Sequence, residues 1–304
     1  MSEVINQLIT LLSFIIIGYV VRKKNVVDEN AASVLSSLLV YVFAPAVNLR
    51  SLSENLNRSN VSEKYIYLVA GACILVFTFF GAKLLSKVFS KDRYEQNVYS
   101  YNLTTGNYGY FGFALILSLF GEDMLLNTVL FSIPMTVYIY TEGLRILTDK
   151  KNVSFKSLIN PALISILLGA VIGISGIKLP SVAVGILSGA GGCMAPASMM
   201  LTGMALAEYN LLPLLKKTRV YIVSILRLLV IPLSILVVLL ALNVSKNIIT
   251  IAVLFYSLPA GLNTVVFPKM INKDCRIGLS TAMVSNVLCI ITIPIVIEIL
   301  KYFT

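Results

Sequence analysis

Apolar residues fall into ten long runs along the chain, and short polar stretches separate them. The runs are Val4–Val21, Ala31–Leu52, Tyr65–Val88, Asn97–Phe120, Met124–Leu147, Leu158–Ile177, Ser181–Ala207, Val220–Leu242, Ile248–Pro268 and Ile277–Leu300. Each is near or above the ~20 residues that carry a helix across ~30 Å of hydrocarbon. The pattern predicts an all-α polytopic membrane protein of ten transmembrane helices. Two runs carry breakers. Pro259 and Gly261 sit inside Ile248–Pro268, within Leu258-Pro259-Ala260-Gly261-Leu262-Asn263-Thr264. Gly106 and Gly109 sit inside Asn97–Phe120, within Thr105-Gly106-Asn107-Tyr108-Gly109. Proline removes a backbone donor and clashes with the preceding turn, and glycine loosens what remains. Hydrocarbon supplies no water to the freed backbone groups, so such breaks survive only inside protein or beside a wet cavity. They commonly mark the binding sites of secondary transporters.

Composition agrees with this pattern. The 304 residues are 58% hydrophobic and 12% charged, against about 25% charged in soluble domains. The net charge of +10 sits in short basic clusters between apolar runs, and aromatics interleave with aliphatics. That is not the basic stripe of a nucleic-acid binder. The four cysteines form no Cys-x-x-Cys and read as buried structural thiols; with no histidine the commonest metal ligand is missing, and no cofactor or metal is expected. The start, Met1-Ser2-Glu3-Val4, lacks a basic n-region, so the first run reads as a permanent span.

Alternate loops hold fifteen Lys or Arg and the others, with the C-terminal tail, hold five. The positive-inside rule puts the rich loops in the cytoplasm and both termini outside the cell membrane. An internal repeat accompanies this alternation. Ala44-Pro45-Ala46 matches Ala195-Pro196-Ala197, and Gly18 matches Gly169, each 151 positions apart. Asn107 and Asn263 lie 156 apart. Five spans per half make the second half enter the membrane the opposite way, so the expectation is two inverted repeats, 1–148 and 149–304.

Residues in several runs resemble the auxin efflux carrier family, which includes bacterial dicarboxylate carriers and plant auxin carriers. The likeness lies in Gly18-Tyr19-Val20-Val21-Arg22-Lys23-Lys24 leading to Ala44-Pro45-Ala46, in Gly106-Asn107-Tyr108-Gly109-Tyr110-Phe111-Gly112, in Ala195-Pro196-Ala197 with Leu201-Thr202-Gly203, and in Leu258–Thr264. One departure is Ala114, near which the family would carry proline. The resemblance implies crossing broken helices 4 and 9, a scaffold of spans 1, 2, 6 and 7, and a transport unit of spans 3–5 and 8–10.

The breaks suggest the chemistry. Half-helix N-termini carry roughly +0.5 charge and free N–H groups, which suit a carboxylate. Backbone N–H groups at Tyr108 to Tyr110 and Leu262 to Thr264 are the candidate donors, with Asn107 and Asn263 adding amides. Glycines that merely allow close helix packing are the bland alternative. Arg227, the one basic residue well inside a span, either compensates an anion or snorkels to the interface. Asn48 and Asn286 either line the site or bond neighbouring helices. The substrate-binding candidates are thus Asn107, Tyr108, Gly109, Pro259, Gly261, Asn263, Thr264, Arg227, Asn48 and Asn286, with helix breaks at Gly106, Gly109, Pro259 and Gly261.

No carboxylate sits clearly at the midplane, which argues against a proton relay on a buried acid. The coupling ion, Na+ or H+ if any, stays open, as does a homodimer. The expected function is a secondary carrier of a small organic anion, a mono- or dicarboxylate of auxin-like or malate/malonate-like kind. The alternatives are a channel or sodium-coupled symporter of related inverted-repeat fold, and a non-transporting membrane receptor. An intramembrane enzyme finds neither a Ser/His pair nor paired membrane aspartates.

Overall fold

The computed structural model describes residues 2–148, 159–208, 216, 218–269, 271 and 273–303. Among these residues every regular element is a helix. In chain order they are α1 (Ser2–Lys23), α2 (Ala31–Asn55), α3 (Val61–Phe89), α4 (Arg93–Thr104), α5 (Phe113–Thr148), α6 (Pro161–Ser175), α7 (Ser181–Glu208), α8 (Thr218–Ala241), α9 (Lys246–Tyr256), α10 (Asn263–Lys269) and α11 (Arg276–Phe303). Six of them, α2, α3, α5, α7, α8 and α11, are long and apolar enough to cross a membrane; α6 and α9 are apolar but shorter.

Helix ends follow local chemistry. Asp92 caps α4 by accepting from Glu95 N at 2.8 Å, so α4 begins before the apolar run does. Asn160 caps α6 by accepting from Leu163 N at 3.0 Å, with Pro161 in the first turn, and Gly176 closes the same helix at φ 76°. The expected gap between Phe120 and Met124 is a sharp bend instead. Gly121 takes φ 80° and ψ −173° and turns α5 without releasing the chain into a loop. π-helical turns occupy Leu39–Phe43, Tyr108–Gly112, Ile139–Gly143 and Leu226–Val230. Two of them lie just before a proline, Pro45 and Pro232, whose ring would clash with the carbonyl four residues back in a regular helix.

Two helix pairs approach through glycine. A Cβ on Gly18 of α1 would stand 2.7 Å from Met200 Cα and 2.8 Å from its carbonyl carbon on α7. On the same pair, a Cβ on Gly203 would be 2.7 Å from Tyr19 N. Gly169 and Gly173 of α6 do the same against α2, where the added Cβ of Gly169 would lie 3.0 Å from Leu49 O. Without a hydrophobic force between helices in lipid, such small-residue contacts let van der Waals packing hold them. The outer surface is apolar, with Ile16, Phe77, Phe80, Leu167, Val171, Val182 and Val237 all exposed. Cys275 and Cys289 are buried, but Cys73 and Cys193 are exposed, so the reading of all the thiols as buried is corrected for these two. Both lie on helical stretches whose apolar side chains point outward, which suits a small hydrophobic thiol facing lipid.

Candidate functional site

The two interrupted runs meet. After Thr104 the chain leaves α4 through Thr105, Gly106 and Asn107 and re-enters helix at the π-turn Tyr108–Gly112. After Tyr256 it leaves α9 through 257–262 and re-enters at Asn263. Gly106 and Ala260 form a single antiparallel β-bridge, and Asn107 N donates to Pro259 O at 2.7 Å. Ala260 N donates to Ser285 Oγ on α11 at 3.0 Å. These bonds satisfy main-chain groups that a break in lipid would strand.

The re-entering helices aim their N-termini at the junction. Phe111 N and Gly112 N both donate to Asn107 O at 3.0 Å, which leaves the N–H groups of Tyr108, Gly109 and Tyr110 ahead of the first intrahelical bond. On the other chain segment Val265 N and Val266 N donate to Leu262 O at 2.8 and 2.9 Å, so the N–H groups of Asn263 and Thr264 hold the same position. A small cavity of about 80 Å³ opens beside this junction. Asn48, Gly106, Asn107, Tyr108, Gly109, Gly261 and Asn263 line it, together with Ser132, Thr136 and Tyr140 of α5. None of its described lining residues is acidic. Asn263 Nδ2 donates to Tyr101 OH at 2.9 Å, and Tyr108 OH and Thr136 Oγ1 share a hydrogen bond of 2.9 Å. Asn48 also bridges helices, donating to Ser165 Oγ at 3.4 Å.

The remaining candidates stand off the cavity wall. Pro259 is buried and gives its carbonyl to Asn107; Thr264 is buried, with its hydroxyl 3.4 Å from Gly261 O. Asn286 donates to Ala282 O of its own helix at 2.7 Å, and its Oδ1 is buried without a partner. Gly109, expected in the break, sits in the π-turn just beyond it.

Arg227 is neither at the interface nor on the cavity wall. It is 1% exposed, and its donors go to main-chain carbonyls. Nε reaches Leu258 O at 3.1 Å, Nη1 reaches Leu103 O at 3.1 Å and Nη2 reaches Phe255 O at 3.4 Å. The guanidinium carbon lies 5.4 Å from the Tyr256 ring centre. Gly106 separates it from the cavity: a Cβ there would run into the Arg227 guanidinium and lie 3.3 Å from Leu258 Cβ.

Sequence reasoning missed Ser132, Thr136 and Tyr140. Their spacing of four puts them on one helix face, and that polar stripe was the available signal. Larger clefts flank the small cavity. One of about 450 Å³, lined by Val47, Arg50, Ser51 and Glu122, shares Phe113 and Met194 with it. The other, about 330 Å³ and lined by Glu29, Ser33, Ser36 and Ser37, shares Leu262. The α2 residues of these two clefts lie toward its opposite ends, about 20 Å apart at 1.5 Å per residue.

A search of the curated proteins finds no match. A family profile described as "Membrane transport protein" matches residues 3–155 and 150–297. Those regions span nearly the whole chain, which therefore belongs to this family of auxin efflux carrier-like membrane transport proteins.

Proposed function

We propose that the chain is a secondary carrier that moves a small organic anion, a mono- or dicarboxylate, across the cell membrane by alternating access. The observation that carries this reading is the junction itself: two half-helix N-termini converge on one polar cavity through the Asn107–Pro259 bond. N-terminal N–H groups and the positive dipole end favour a carboxylate there. Asn107, Asn263 and Asn48 supply amides, and Tyr108, Thr136 and Tyr140 supply hydroxyls. Clefts toward both ends of α2, each separated from the cavity by apolar residues, suit alternate exposure of one central site.

The ten-span, inverted-repeat organisation belongs to the same proposal. Gly18 packs on Met200, and Gly169 packs on Leu49. Each glycine and its counterpart are 151 residues apart, and so are the residues they meet. The pairs α1–α7 and α2–α6 are then equivalent contacts of the two halves, which supports a scaffold of spans 1, 2, 6 and 7. The transport unit is spans 3–5 and 8–10, and both termini lie outside.

The test is uptake into proteoliposomes across a panel of mono- and dicarboxylates, with sodium, pH and voltage gradients imposed in turn. Replacing Leu258–Thr264 with leucine and alanine keeps hydrophobicity, and so insertion, but withdraws the N–H donors into a regular helix. Uptake of at least one carboxylate by the native chain and none by the replacement is expected. Full flux in the replacement refutes the junction as the site.

A further inference from the structure

The other face of the junction gathers the opposite helix ends. α4 and α9 finish there, and each helix C-terminus carries roughly −0.5 charge on carbonyls with no intrahelical partner. Leu103 and Phe255 lie in their last turns, and Leu258 belongs to the break. All three carbonyls accept from Arg227. Discontinuous helices of this kind present such carbonyls to a bound coupling cation in other transporters. Here a side chain of the protein fills the position. No carboxylate among the described residues forms an ion pair with Arg227. A buried charge without a counter-charge is strongly disfavoured. Two C-terminal dipole ends of about −0.5 each balance one guanidinium, so the arrangement is close to neutral. The Tyr256 ring face adds a further attraction.

We propose that Arg227 is a tethered cation: it does at the helix crossing what a bound coupling cation would otherwise do, and it holds both half-helix C-termini together whether or not substrate is present. Arg227 is thus a positioning residue. It neutralises the C-terminal face and leaves the N-terminal end at Tyr108, across Gly106, as the uncompensated positive region that receives an anion. Gly106 is required because no side chain fits between guanidinium and cavity. The part that concerns anion binding rests on the organic-anion reading; the part that concerns the carbonyls does not.

The experiment separates charge from size. R227A, R227K and R227M are purified in detergent and melted in choline chloride, sodium chloride and low-millimolar guanidinium chloride. R227K keeps a cation and should melt within a few degrees of the native chain, whereas R227M keeps the bulk but not the charge and should melt well below it. Guanidinium should raise the melting temperature of R227A by about 2–4 °C or more, and leave the native chain and R227M unmoved. R227M as stable as R227K, or R227A indifferent to guanidinium, overturns the proposal. If R227A does not fold, the comparison of R227M with R227K decides, and failure of both to fold also overturns it. Malonate is then added as a probe. It should stabilise the native chain and R227K but not R227M, and equal stabilisation of R227M overturns the electrostatic role. Malonate without effect even on the native chain counts against the organic-anion reading with this probe, while the melting comparison still decides the role of Arg227.

Discussion

Gly18→Ala adds one methyl group at the contact between α1 and α7. That carbon would sit 2.7 Å from Met200 Cα and 2.8 Å from its carbonyl carbon. Carbon atoms pack best at about 3.5–4.0 Å, so the helices must part by about 1 Å. The obstacle is backbone, which no rotamer change can clear. Overpacking of this kind costs about 1–3 kcal/mol, while alanine in place of helical glycine returns about 0.5–1 kcal/mol. The net loss lies between about 0 and 2.5 kcal/mol and is centred near ~1 kcal/mol, a fall of roughly 2–4 °C in melting temperature. Gly185 of α7 has open space around it, with nothing within 4 Å of an added Cβ. Gly185→Ala should therefore be neutral or stabilising, the opposite sign for the same chemical change. Gly169→Ala should destabilise less than Gly18→Ala, because its nearest obstacles, Leu52 Cβ at 2.9 Å and Leu49 O at 3.0 Å, leave the added methyl more room than Met200 leaves at Gly18. Thermal melts of the three variants in one detergent are the assay. A Gly18→Ala variant that melts at or above Gly185→Ala would refute the close approach of α1 and α7.

Asn107→Ala and Asn263→Ala should each weaken substrate binding by roughly 5- to 150-fold, for a net bonding loss of ~1–3 kcal/mol, and titration of the purified variants measures it. Ser285→Ala strands the buried Ala260 N–H and should destabilise by about 1–3 kcal/mol in a melt, whereas Ser234→Ala, whose exposed hydroxyl bonds only Ile231 O, should fall within about 0.5 kcal/mol of the native chain. In a background without the native cysteines, Asn57→Cys should be labelled from outside by an impermeant reagent and Asn25→Cys only after permeabilisation; equal labelling in intact cells would remove the proposed topology.

The breaks were legible because proline and glycine are conspicuous in apolar sequence and hydrocarbon punishes a broken backbone. Helix existence was legible for the same reason. What the breaks bond to was not. The Asn107–Pro259 bond joins residues over 150 positions apart, and no local pattern encodes a contact of that range. Arg227 shows the limit most clearly. Sequence offered substrate or interface as its partner, while its actual partners are carbonyls, which every residue carries and no sequence pattern marks. The π-turns before Pro45 and Pro232 were half legible: the prolines announce a disturbed helix but not the direction in which it yields.

The junction of the two breaks is made of main-chain atoms, the Gly106–Ala260 bridge and the Asn107 N to Pro259 O bond. Apart from Gly106, Arg227 and Ser285, which the joint needs, it does not draw on the side chains that line the cavity. Side chains that face the cavity, such as Thr136, Tyr140 and Asn263, can therefore change over generations without loosening the frame that presents them. Under the function proposed above, a carrier built this way acquires new cargo by drift at its lining, and its tolerance to redesign is greatest where its selectivity resides.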